Sequence, residues 1–223
     1  MQTRETSIHM QITWPTAPTS YPSDCSDPPI GCVVAQEFLT VHRLSKHFRA
    51  ALREHFAHLS ADDLFLRFGA HCRPEIIDAY VDGIDYRESI VLGVFNDNLQ
   101  LIGVAHLGSD EGGLELGLSV LAEYREHGVG TLLLRRAMQH ARAAGADRIF
   151  VHCLSINHTL MHLVRQVGAS VVESGGEADG VIALPPTKPL DSWLSLIEDQ
   201  ISLFDFARKA QATIVKRLVQ QFS

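Results

Sequence analysis

One stretch constrains this chain more than any other. Residues 114–120, Leu-Glu-Leu-Gly-Leu-Ser-Val, place Leu114, Leu116, Leu118 and Val120 on one side and Glu115, Gly117 and Ser119 on the other. Alternation of this kind makes a strand with one buried face and one face open to something polar. After Leu121-Ala122-Glu123-Tyr124 comes a glycine-rich turn, Arg125-Glu126-His127-Gly128-Val129-Gly130-Thr131. Residues 132–144 then supply good helix formers with a leucine and alanine stripe, closed by Gly145.

A strand, a glycine turn and a helix start together build an anion site. The first turn of a helix carries N–H groups without intrahelical partners, and the helix dipole adds partial positive charge there. Glycines clear side chains from the approach of a phosphate. Residues 125–131 therefore read as a phosphate or pyrophosphate cradle, with Arg125 as an added cation. The spacing is neither G-x-x-x-x-G-K-[ST] nor G-x-G-x-x-G, which disfavours a mononucleotide P-loop and a dinucleotide fingerprint.

The 223 residues suffice for one sizeable core and an appendage. No apolar run approaches the ~20 residues of a membrane span, and the N-terminus lacks an apolar signal core. The expectation is a cytoplasmic protein that does not bind membranes. A net charge of −7 argues against a nucleic-acid binder. Cys25, Cys32, Cys72 and Cys153 form no C-x-x-C pair, and no disulfide framework is expected. Cys153 reads as a small core residue. His158 and His162 have i, i+4 spacing but lack the metalloprotease arrangement, so they read as helix-surface histidines and no metal site is assigned.

Residues 1–32 are rich in Pro, Ser, Thr and Asp and read as an irregular arm. A domain follows over 33–184. Its first strand is expected at 33–44, and Ser45 caps a helix over 46–59 whose apolar stripe is Phe48, Leu52 and Phe56. Ser60-x-x-Asp63 opens a short helix like a capping box, and Pro74 opens another to Gly83. Strands at 89–95 and 99–107 flank the turn Asn96-Asp97-Asn98. Further strands are expected at 147–153, 169–173 and 180–184, with a helix at 157–169. Strands that come first and then alternate with helices give an α/β (α+β) class. Residues 185–189 are a proline-stiffened break. Beyond it, 190–222 read as one long amphipathic helix, or two, with an apolar stripe that includes Phe204, Ala207, Ile214 and Leu218. The length of this helix leans toward a homodimer by exchange, and a fold-back is the other arrangement that covers it.

Arg125-x-x-Gly128-x-Gly130 resembles the [QR]-x-x-G-x-[GA] signature of the GNAT superfamily of N-acetyltransferases. Residues 157–169, from Asn157 to Gly168-Ala169, are similar to that family's second conserved helix. Residues 59–68, Leu-Ser-Ala-Asp-Asp-Leu-Phe-Leu-Arg-Phe, resemble a segment of bacterial protein-lysine acetyltransferase-like domains. The resemblance covers about residues 35–184. It implies a mixed, twisted sheet of about six or seven strands flanked by helices, and acetyl-CoA as co-substrate. It places the cofactor between two splayed strands, here 115–121 and 148–154. Val120 would meet the pantetheine amides and lie near the oxyanion donor. Arg125, Glu126, His127, Gly128, Val129, Gly130 and Thr131 would surround the pyrophosphate. Asn157 would bond the pantetheine arm or simply cap its helix. Glu115, ten residues before Arg125, is the candidate general base, and a cross-strand ion pair is its other reading. Many members carry a Tyr acid seven residues after the helix Asn. This chain has Val164 there, which leaves Ser155 or water. The implied activity is acetyl transfer to a protein lysine or a small amine. A non-catalytic acyl-CoA-binding module and a partner-binding protein are the alternatives.

Overall fold

The alternating stretch is the fourth of seven strands in the computed structural model, which describes residues 39–110, 113–185, 205–207 and 209–211. The strands are β1 (Val41–Arg43), β2 (Ile90–Phe95), β3 (Leu101–Asp110), β4 (Gly113–Val120), β5 (Arg148–Leu154), β6 (Ser170–Ser174) and β7 (Glu177–Ala183). They form one mixed sheet in the order β1-β2-β3-β4-β5-β7-β6, antiparallel except where β4 meets β5. The helices are α1 (Arg49–Ala57), α2 (Ala61–Phe68), α3 (Pro74–Gly83), α4 (Val129–Ala143) and α5 (His158–Gln166). This agrees with the mixed, helix-flanked sheet of about six or seven strands that the family resemblance implies.

Local chemistry explains most boundaries. Ser60 caps α2: its Oγ accepts from the Asp63 N–H at 3.1 Å and donates to the Asp63 carboxylate at 2.7 Å. Gly69, at φ 70°, ends that helix in the left-handed conformation a glycine reaches without strain. Asn96 Oδ1 accepts from the N–H groups of Asn98 and Gln100, which makes the β2–β3 turn. β2 is buried at every position, so it reads as a continuous apolar run rather than an alternating one.

β3 and β7 begin two or three residues away from the starts of the expected 99–107 and 180–184, and two elements at the start of the domain differ more. The first strand is only Val41–Arg43 within the described residues. The helix after Ser45 opens with a 3₁₀ turn, Lys46–Phe48, before α1 begins. The Pro/Ser-rich arm, Cys25, Cys32, the centre of the β3–β4 turn and most of the stretch beyond residue 185 lie outside the described residues. Among the described residues no helix is long and apolar enough to cross a membrane, and no group of three His, Cys, Asp or Glu side chains gathers to hold a metal.

The C-terminal part that is described, residues 205–207 and 209–211, is helical and packs on the β1–β2 edge of its own domain. The Phe206 ring lies against His42, Phe48 and Phe95. Lys209 is buried, pairs with Asp205 at 3.0 Å and donates to the Phe95 carbonyl at 3.1 Å. The expected apolar stripe is therefore out of phase here. Ala207 is exposed, and a charged lysine occupies the inward face. Hydrophobic periodicity could not find it, because this lysine is buried through its pairing rather than through its apolarity.

Candidate active site

β4 and β5 run parallel for only two register positions, Leu114 with Ile149 and Glu115 with Phe150. On its other edge β4 stays paired with β3 as far as Val120. β4 and β5 therefore separate beyond Glu115 and leave one edge of residues 116–120 unpaired by a neighbouring strand. A cleft of about 420 Å³ opens there, lined by Leu118 and Val120 of β4, Gly128 and Gly130 of the turn, and Leu160 and Leu163 of α5.

The glycine turn delivers the start of α4 to this cleft. Gly128 is the N-cap residue at φ 80°, and no side chain caps the helix. A Cβ at Gly128 would meet nothing within 4 Å, so the glycine is needed for its backbone angle rather than for space. The first intrahelical bond runs from Leu132 N–H to the Gly128 carbonyl. The N–H groups of Val129, Gly130 and Thr131 thus have no helix partner, and the helix dipole points at them. Glu126, also left-handed at φ 63°, and His127 are exposed, and the His127 Nδ1–H donates to the Arg125 carbonyl at 2.5 Å.

Arg125 is less available than its place in the motif implies. Its Nε donates to the Val120 carbonyl at 3.1 Å and its Nη2 pairs with Asp63 at 2.7 Å. A carbonyl oxygen has two lone pairs, so Val120 keeps one for a ligand. Burial alone would raise the Asp63 pKa, but hydrogen bonds from Ser60 and Arg125 hold it below the ordinary aspartate value.

A model of the acetyltransferase (GNAT) family matches residues 51–169, more than half of the chain. The chain belongs to that family. A search of curated protein sequences finds no significant match. Similar solved structures include the GNAT domain of S. lividans PAT, with TM-score 0.57, 16% identity, and 65% of this chain and 89% of that one covered. Another is yncA, a putative acetyltransferase from Salmonella typhimurium solved with acetyl-CoA, at TM-score 0.53 and 19% identity, covering 67% and 96%. The PaiA N-acetyltransferase from Thermoplasma acidophilum, solved with coenzyme A, has TM-score 0.50 and 17% identity, covering 65% and 98%.

On the other face of β4, this acetyltransferase carries Glu115, Gly117 and Ser119. Glu115 lines a second cavity of about 250 Å³ with Arg67, Tyr80, His106 and Gly117. Among the described residues it forms no ion pair, so the cross-strand pairing is not what the structure shows. The Arg67 guanidinium lies directly against Gly117, where any Cβ would overlap it. That close approach explains a glycine inside a central strand. Arg67 also lines the first cleft and so stands between the two spaces.

Ser119 is buried and bonded to His55 Nε2 at 2.9 Å, while His55 Nδ1 faces the Leu101 carbonyl at 2.8 Å. A carbonyl only accepts, so Nδ1 carries the proton and the Ser119 hydroxyl donates to Nε2. Burial keeps this imidazole neutral and lowers its pKa to about 4.

Asn157 caps α5, accepting from the Leu160 N–H at 3.1 Å, and also lines the cleft. Val164 is buried in the core and is not a cleft residue. A proton donor at that position is absent, and Ser155 does not line the cleft either. Sequence reading missed Arg67, Tyr80, His106 and His55. Arg67 had one signal, its place in the Ser60–Phe68 segment.

Proposed function

We propose that the protein transfers the acetyl group of acetyl-CoA to an amine, with Glu115 as general base. The observation that carries this reading is the divergence of β4 from β5 beside an uncapped helix start, with a carboxylate on the far face of the same strand. Acetyl-CoA as co-substrate is supported by family membership and by the two similar structures that hold acetyl-CoA or coenzyme A. The residues present fit it. The α4 N–H groups of Val129, Gly130 and Thr131 suit a diphosphate, the open edge of β4 at Val120 suits an amide-bearing arm, and Asn157 lies along the same cleft.

Acetyl-CoA supplies an activated thioester carbonyl. Glu115 takes one proton from the acceptor ammonium, which gives a neutral nitrogen. Backbone N–H groups near Val120 serve as donors to the carbonyl oxygen as charge develops on it. The C–N bond forms and the C–S bond breaks. The second nitrogen proton ends on the departing thiolate, through water because no Tyr or other acid stands at position 164. The test is release of free CoA thiol with small amines, amino acids, polyamines and lysine peptides. Amine-dependent thiol release supports the enzyme. Acetyl-CoA binding without turnover on any acceptor would leave the non-catalytic module, which the loss of the usual acid favours.

A further inference from the structure

The second cavity is lined by a carboxylate and a guanidinium that form no ion pair with each other. Glu115 and Arg67 both line it, and among the described residues neither forms an ion pair. Arg67 is half-buried. Its Nη2 donates to the Tyr80 hydroxyl at 3.0 Å, and its guanidinium lies 4.9 Å from the Phe68 ring centroid. Those contacts fix its direction and leave its charge unmatched.

His106 adds a donor to the same wall. The Tyr80 oxygen accepts from Arg67, and we assign its own proton to the 2.7 Å bond with His106 Nδ1. The imidazole proton then sits on Nε2. Burial, with the Arg67 charge beside it, lowers this pKa to about 4 and keeps the ring neutral. His106 Nε2 is buried and has no hydrogen-bond partner among the described residues. Its edge lies beside Gly108, where a Cβ would be 3.9 Å from Nε2. A buried N–H without a protein acceptor is rare, and this one lines the cavity, where the oxygen of a water or a ligand can reach it.

We propose that the acetyl acceptor is a small zwitterion, a free α-amino acid, whose ammonium is held by Glu115 and whose carboxylate is held by Arg67 and the His106 Nε2–H. The inference rests on the acetyltransferase reading and narrows its acceptor. The cavity suits a molecule of amino-acid size. A polyamine or a lysine side chain would bring a cation to Arg67 and nothing for it to pair with.

The experiment compares kcat/KM, at saturating acetyl-CoA, for the free amino acids, their methyl esters, the corresponding decarboxylated amines and a lysine peptide with blocked ends. Free amino acids are expected to exceed their esters by about 10–100-fold, the worth of one charge-assisted contact. Arg67→Met should erase that ratio through acceptor KM, and Arg67→Lys should restore part of it. If Arg67→Met does not fold, the ester ratio on the native enzyme still decides. Blocked lysine peptide or decarboxylated amines acetylated as well as amino acids would overturn this inference and leave the acetyltransferase intact. No acetylation of any acceptor would overturn both.

Discussion

The two sides of β4 are built from different materials. The side proposed for acetyl-CoA uses main chain: the open strand edge and the uncapped start of α4, with Gly128 supplying a left-handed backbone angle. The side proposed for the acceptor uses side chains from four elements: Glu115, together with Arg67, Tyr80 and His106, which are joined by hydrogen bonds. Main-chain groups are the same whatever residue supplies them, so the first side needs only a conformation. The second needs particular residues at particular positions. A fold shared with the S. lividans PAT domain at 16% identity is what the first kind of site permits. It also means that the likeness says nothing of the acceptor.

Mutations should separate the two sides. The largest effect is expected at Glu115. Glu115→Gln keeps size and removes basicity, and should lower kcat by about 10²–10⁴ with acetyl-CoA affinity nearly unchanged. A pH–rate profile identical to that of the native enzyme would remove Glu115 from the mechanism. Gly128→Glu is the counterpart on the cofactor side. It puts a negative side chain beside the α4 N–H groups, and acetyl-CoA affinity measured by calorimetry should fall about 10–100-fold. Part of any stability loss reflects φ 80°, so Gly128→Asn, which tolerates that angle, is the control. Unchanged binding in Gly128→Glu would move the phosphate site elsewhere.

The glycine turn, the capping serine and the central strand were legible because each depends on a local pattern. Gly128 needs its backbone angle, Ser60 needs a neighbour three residues on, and Leu114 to Val120 alternate. Arg67, Tyr80 and His106 were not legible as a group. They lie on α2, α3 and β3, and only the sheet brings them together. Lys209 was hidden for a related reason, since its partner Phe95 is 114 residues away.

Acid should find the acceptor side first. His55 and His106 are both held near pH 4 by burial, below the ordinary value of 6.5. The unfolded chain binds their protons between pH 6.5 and 4 and the folded one does not. Stability is therefore full above 6.5 and declines as pH falls through that window, to which His42 adds a third such proton outside the site. Urea midpoints at pH 7.5, 6 and 5 should fall in that order, and His106→Asn should flatten the decline. A flat series would mean that these rings titrate normally. The smallest effect is expected for the cofactor side's ion pair. Arg125 is partly exposed, so Asp63→Asn should cost about 0.2–1 kcal/mol in a urea melt. A larger loss would show that side chains matter on this side too.

The lysine at position 209 has a consequence for how the sheet ends. β1 is an outer strand of three residues, and its pairing with β2 stops at Val94. The Phe95 carbonyl is left past that end, an acceptor on a row that another chain's strand would otherwise extend. Lys209 fills it with an ammonium already committed to Asp205. A charge fastened over a sheet margin is one of the ways proteins discourage strand-to-strand aggregation. Here the guard comes from residues 205–207 and 209–211, more than a hundred positions further along the chain, so this margin is protected only once that helical stretch has docked.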